Sequence, residues 1–225
     1  VTMNNDPTAH GEIVAIIDRS SIGPSYLPAH AHADTLSFEL SIFGKRVIVN
    51  SGTSVYGSSE KRQLQRGTQS HSTVMIDNQN SSEVWGGFRV ARRAKVFNSI
   101  DFQQDDIIVL SASHNGYHRL KGKPTHTRKW KFSSQLVVIE DLIEGNFNHP
   151  EVNELLTKHF IELRAASPEG SAHVLDIPGL KVNSIKFWSL WERDELLGCG
   201  ALKFLNKEHG EFKSIRIHDN FRQKG

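Results

Sequence analysis

The chain has 225 residues, 37% of them hydrophobic, and 27 Lys and Arg against 25 Asp and Glu leave a net charge of +2. That is enough apolar material for one large domain or two small ones. No apolar run reaches membrane-spanning length, no charged start leads into an apolar leader, and no sustained basic arm suits a nucleic acid. Short basic clusters at Arg89–Lys95 and Lys121–Lys131 read first as solvated surface, with attraction of an acidic sugar as the alternative. Cys199 is the single cysteine, which excludes an internal disulfide and a cysteine-rich zinc module. The first residues, Val1-Thr2-Met3, read as the start of a mature product or an excised piece.

Short strand-like runs recur along the chain. In order they are Glu12–Ile17, Leu36–Phe43, Arg46–Asn50, Ser72–Ile76, Val90–Phe97, Ile107–Ser113, Thr125–Phe132 and Leu136–Glu144. Further runs follow at Leu155–Leu163, His173–Ile177, Ile185–Glu192, Leu196–Phe204 and Phe212–Ile217. Many alternate apolar and polar residues, the period of a half-buried strand. In Thr125–Phe132, Trp130 and Phe132 share one face and Lys129 and Lys131 the other. Phe43-Gly44-Lys45-Arg46 reads as a tight hairpin and Asp77-Asn78-Gln79-Asn80 as a second turn. The best helix candidate is the short, polar Glu60–Gln69, and Asn146–Glu154 with Pro150 reads as a loop. Many closely spaced strands with few helices predict an all-β chain, a large antiparallel sandwich of stacked sheets forming one domain over 1–225.

Chemistry concentrates near the N-terminal third. His30, His32 and Asp34 alternate in an extended segment, so three polar groups share a face, and such a face is costly to bury unless it is paired or bound. An H-x-H pair is half of a zinc site; taken alone, surface or hydrogen-bonded histidines explain it as well. Asn50-Ser51-Gly52-Thr53 ends an apolar strand with small polar residues, suited to a site at a sheet edge or to an ordinary turn. Arg62 and Arg66 can bind carboxylates in two-point geometry. His71 opens a predicted strand, and Tyr56 is either a proton donor or an exposed loop tyrosine.

The order of these pieces resembles the heparinase II/III-like family. It runs His30-Ala31-His32-Ala33-Asp34, Leu36-Ser37-Phe38, Val47–Thr53, Tyr56, Arg66-Gly67-Thr68 and Ser70–Val74, with Phe88-Arg89-Val90 later. The resemblance spans Leu27 to Arg93; beyond it the chain matches only in being strand-rich. It implies the β-domain of a polysaccharide lyase that cleaves uronic-acid-containing polymers by β-elimination, in the periplasm or outside the cell. Its partner in the full-length protein would be an N-terminal α/α toroid, absent from this chain, without which the domain is expected to be inactive. The resemblance assigns His30 and Tyr56 to catalysis, Arg62 and Arg66 to substrate, and His32, Asn50 and His71 to a zinc ion. Asn50 stands where the family has Asp, which removes a charge and weakens an oxygen ligand, so Asp34 is an alternative donor. Two competing readings stay open: a carbohydrate-binding or scaffold module with a degenerate metal site, and a cupin-like metal enzyme using Glu39 and His71. Heparan sulfate, alginate, hyaluronate-like chains and bacterial surface glycans all fit as substrate.

Overall fold

The structure, a computed structural model, describes residues 2–3, 13–147, 149–166, 175–192, 195–206 and 208–222. Its strands are β1 (Thr2–Met3), β2 (Ile13–Ile17), β3 (Phe38–Ile42), β4 (Lys45–Ile48), β5 (Val84–Trp85), β6 (Arg89–Val90), β7 (Val96–Gln104), β8 (Ile107–His114) and β9 (Thr125–Phe132). They continue as β10 (Val137–Glu144), β11 (Ile185–Glu192), β12 (Glu195–Phe204) and β13 (Gly210–Ile217). The helices are α1 (Glu60–Arg66), α2 (Pro150–Ala166) and α3 (Ile177–Leu180). A four-stranded sheet has the order β1-β2-β3-β4, a seven-stranded sheet β13-β12-β11-β10-β9-β8-β7, and β5 and β6 form a separate hairpin. The described pairs are antiparallel, and the chain is all-β with sandwich packing, as the alternation predicts.

The chain divides into two compact units, Val1–Arg119 with His126–Ile139, and Leu120–Thr125 with Glu140–Gly225. In the first, Ile13, Ala15, Phe38 and Leu40 of β2 and β3 share a core with Leu110, Ala112, Trp130 and Phe132 of β8 and β9. Trp130 and Phe132 are fully buried while Lys129 and Lys131 are not, so the period of two in this strand translates directly into an inner and an outer face. Burying each such side chain contributes about 1.5–3 kcal/mol. The β3–β4 connection is the two-residue turn Phe43-Gly44, both with positive φ, the backbone that a hairpin's twist favours. Asp77 and Asn78 form a similar turn, closed by a bridge between Ile76 and Gln79.

Several expected strands take other forms. Ser72–Ile76 makes no ladder: the Phe38 N–H donates to Ser72 Oγ at 2.9 Å and Thr73 Oγ1 donates to the Thr35 carbonyl at 2.8 Å. Side-chain hydroxyls there take the hydrogen bonds that a neighbouring strand would otherwise supply. Between β6 and β7 the chain is irregular, so Val90–Phe97 is two strand ends rather than one strand. Of His173–Ile177, the first two residues lie outside the described residues and Ile177 opens α3.

The largest difference is α2. Its buried residues, Val152, Leu155, Leu156, His159 and Phe160, fall at i, i+3, i+4, i+7 and i+8, a helical stripe. Pro150 occupies the first helical position, where its missing N–H costs nothing, so the expected loop is the helix start. In the second unit this stripe packs with Phe147, Leu180, Ile185, Phe187, Leu196, Cys199 and Ala201. Burial pushes the Cys199 thiol up to about 12, so it packs as a small apolar group. Arg216 of β13 ties to Glu162 of α2 at 2.5 Å.

Leu155→Ala and Leu156→Ala should each cost about 2–5 kcal/mol in urea unfolding, whereas Ile161→Ala, on the exposed side of α2, should stay within about 0.5 kcal/mol. A strand over these residues would instead make Leu155 and Leu156 strongly unequal, because adjacent strand residues face opposite ways.

Candidate active site and metal centre

All the residues singled out from the sequence lie in the first unit, and its loops bring them together. Arg66 is fully buried. Its Nε donates to the Ala31 carbonyl at 3.0 Å, Nη1 to the Gly86 carbonyl at 3.0 Å, and Nη2 to the Arg89 carbonyl at 3.1 Å. Burial, and then the neighbouring Arg62, lower its pKa, a cost that the fan of carbonyl acceptors offsets. The Arg66 carbonyl in turn accepts from the Ala33 N–H at 2.8 Å, and Thr68 Oγ1 donates to the Ala33 carbonyl at 2.7 Å. Arg66-Gly67-Thr68 therefore holds the segment 31–33 by its backbone. A Cβ on Gly67 would lie 3.1 Å from Asn80 Oδ1, which accepts the Thr68 N–H, so a larger residue there would press on that bond.

With its backbone fixed, the segment sends His30, His32 and Asp34 to a cleft of about 530 Å3 that Asp18, Asn50 and Thr53 also line. His32 Nδ1 lies 3.2 Å from His71 Nε2, and the ligand atoms of His32, Asp34 and His71 all lie within 4.8 Å of one another. Tetrahedral zinc with Zn–N near 2.0–2.1 Å needs its two nitrogens about 3.3–3.4 Å apart, so the histidine pair fits and the Asp34 carboxylate needs to move inward. Asn50 lines the same cleft, but its Oδ1 accepts the Gly52 N–H at 2.9 Å, capping its own turn. Gly52 takes a positive φ there.

Arg62, 1% exposed, sits behind two residues that line the cleft, His32 and Thr53. It donates from Nη1 to Thr53 Oγ1 at 2.6 Å and from Nε to the Gly87 carbonyl at 3.2 Å, and Nη1 is 3.4 Å from His32 Nε2. A guanidinium only donates, so it selects the His32 tautomer with a bare Nε2 and a proton on Nδ1, pointed at His71. Metal ligation by Nδ1 needs the opposite tautomer, and Arg62 must then release His32. The guanidinium also lies 5.6 Å from the Tyr56 ring centroid and 5.9 Å from that of Phe88. His30 meets both rings edge-on, with centroids at 5.9 and 6.2 Å. Phe88 thus joins the site, although as a lone apolar residue in a turn it carries no chemical signal of its own.

Burial, followed by the repulsion of His71, Arg62 and Arg66, lowers the His32 pKa to about 4. Burial also lowers His71, with Gln65 and Asp18 opposing it, and it raises Asp34 and Asp18. Neutral imidazoles are the form that a metal binds. In the unfolded chain His32 takes its proton near the ordinary 6.5. Its contribution to stability is therefore complete above that pH and falls as the pH drops toward 4. In chelator-treated protein, NMR titration should keep the His32 imidazole neutral until about pH 4. Urea unfolding should show a steeper acid loss for the wild type than for His32→Gln across that window.

Comparison with known proteins adds three findings. The family described as heparinase II/III-like, C-terminal, matches residues 2–197. Among solved structures, heparan sulfate lyase HepC from Pedobacter heparinus is 19% identical with a TM-score of 0.45, over 88% of this chain and 26% of that one. A heparinase III gene product is 25% identical with a TM-score of 0.43, over 60% of this chain and 19% of that one. Among curated proteins, the uncharacterized N-acetyltransferase YedL of Escherichia coli is 40% identical over 80 residues, 36% of this chain and 50% of that protein. The uncharacterized N-acetyltransferase YsnE of Bacillus subtilis is 44% identical over 75 residues, 33% of this chain and 50% of that protein. The chain thus spans about half the length of the curated relatives it matches. With the family match covering most of its length, the chain belongs to the heparinase II/III-like C-terminal family.

Proposed function

We propose that the first unit is the β-domain of a polysaccharide lyase that cleaves uronic-acid-containing polymers by β-elimination, working with a helical partner domain outside the cytoplasm. The observation that carries this reading is the edge-on contact of Tyr56 with His30, a residue that lines the cleft together with His32 and Asp34 of the His32, Asp34 and His71 cluster. In the elimination, one group removes the C5 proton, the electron pair forms the C4–C5 double bond, and the C4 oxygen leaves with a proton from a second group. His30 and Tyr56 supply these two groups. Arg62 and Arg66 are buried and bonded to this chain's own atoms, so in this reading they act on the acidic polymer through position and positive field rather than by contact. In a protein that joins this chain to a helical partner domain, an acidic polysaccharide should yield ultraviolet-absorbing unsaturated uronates. His30→Ala should lower that rate by at least about a hundredfold. Cleavage without unsaturated ends, or a rate that His30→Ala leaves unchanged, would contradict the assignment.

Zinc is the metal we propose for the cluster, held by His32, His71 and Asp34, with Asn50 as a weak fourth donor in place of a carboxylate. Bound there it would fix the loop ends beside His30. Elemental analysis should find zinc in the wild type, little in His32→Ala, and tighter binding in Asn50→Asp. A metal-free wild type that keeps its fold would favour a non-catalytic carbohydrate-binding module, in which Arg62 and the histidines form only a hydrogen-bonded cluster.

A second reading concerns the second unit. We infer that the stretch similar to the two N-acetyltransferases is its continuous segment Glu140–Gly225, which has the matching length and its own helix-covered core. This segment would carry part of a domain that moves an acetyl group from a thioester to an amine, with the amine losing a proton and the thiol departing.

A further inference from the structure

In the second unit the described residues cover one face of the sheet formed by β11, β12 and β13. Cross-strand partners share a face. Phe187 pairs with Ala201, and Cys199 with Arg216; these residues face α2, through the shared core and the Arg216–Glu162 ion pair. The other face carries Leu190 opposite Gly198, Trp188 opposite Gly200, and Leu202 opposite Phe212, with Ile217 opposite Gly198. A Cβ on Gly200 would touch Ile215 at 3.7 Å, which puts Ile215 on this face too.

Its apolar side chains are bare. Phe212 is 74% exposed, Ile215 58% and Ile217 53%, and Phe204 and Leu190 are also exposed. Among the described residues β13 is moreover the outermost strand of its sheet, eight residues long, so it sets a sheet edge next to this apolar surface. The face also carries the Lys186–Glu144 ion pair, opposite Leu202 and Trp188, and toward β13 it is apolar; an exposed apolar sheet face beside an edge is a docking surface or an aggregation hazard. The opposite side of the same strand is polar and ion-paired through Lys213 and Arg216, so the apolar residues of β13 gather on the bare face. The two Gly residues of β12 flatten the bare face, which suits a broad packed layer rather than a side-chain-sized pocket.

We propose that this face receives the other half of an N-acetyltransferase-like domain, the part of the curated relatives outside the stretch they share with this chain. This rests on the second reading above. The relatives match over 50% of their length, so each possesses a segment about as long again outside the shared stretch. In a single domain that segment must bury its apolar side somewhere. The face of Phe212, Ile215 and Ile217 is the surface of this unit that is apolar and uncovered among the described residues. The added half would lay a second layer over the sheet and continue it at the β13 edge, completing a sheet covered on both faces.

The test adds the unmatched half of the Bacillus subtilis relative to the 225-residue chain, both as a separate polypeptide and fused after Gly225. Hydrogen exchange at β13 and binding of an apolar dye are followed. The expected result is at least about tenfold slower β13 exchange and loss of dye binding. Both effects should vanish in Phe212→Glu/Ile215→Glu, whose substitutions lie on exposed side chains and leave unfolding of the α2 core unchanged. Unchanged β13 exchange with either form of the added half would overturn the proposal. So would β13 protection in the chain alone that depends on its concentration, since the occupant would then be a second copy. Release of thiol from acetyl-coenzyme A in the presence of a primary amine is measured in parallel. Protection without thiol release would sink the acetyl-transfer reading and keep the docking surface; thiol release without protection would do the reverse.

Discussion

The candidate site depends on the buried guanidinium of Arg66. An irregular segment such as Ala31–Ala33 has no sheet ladder to hold it, and its backbone groups need partners. Arg66 supplies them from its side chain to Ala31 and from its own carbonyl to Ala33, while Thr68 takes the Ala33 carbonyl. The same guanidinium grips Gly86 and Arg89 on the β5–β6 hairpin. One cation thus fixes two loops, the one that carries His30, His32 and Asp34 and the one that carries Phe88. A lysine, with a single ammonium, lacks the planar fork needed to reach these carbonyls together.

Arg62, one helical turn earlier, acts on the side chains rather than the backbone. It sets the tautomer of His32, cradles Thr53, and lies against Tyr56 and Phe88. Arg62 and Arg66 lie behind a cleft that Asp18, Asp34 and Glu39 line, so the buried cations and these carboxylates together set its field. The backbone of the site and the tautomer of His32 are in this way both set from the same short helix.

The sandwich was legible because its strands alternate cleanly, as Trp130, Phe132 and their lysine neighbours show. The closeness of His32 and His71, 3.2 Å apart, was legible from the order of motifs. The roles of Arg62 and Arg66 were not, because a sequence displays their charge and hides their burial; read as ligands for a carboxylate, they prove to be bonded to carbonyls, a hydroxyl and an imidazole of this chain. Asp34 was visible as an alternative donor, while the commitment of Asn50 to the Gly52 turn needed coordinates. Residues 155–163 misled because a dense apolar run satisfies two periods at once, and the helix is decided by Val152 and the Pro150 start upstream. The distinct core of the second unit follows from that same helix.

The dependence of the site on Arg66 can be measured directly at one amide. Ala33 lies outside any strand or helix, so ordinary loop behaviour would let its N–H exchange within the dead time of the measurement. With the bond to the Arg66 carbonyl and the guanidinium clamp in place, hydrogen exchange at Ala33 should be at least about a hundredfold slower than in an unstructured chain and should accelerate sharply in Arg66→Lys. Fast exchange at Ala33 in the wild type, or slow exchange that Arg66→Lys leaves unchanged, would contradict a site held together by that one side chain.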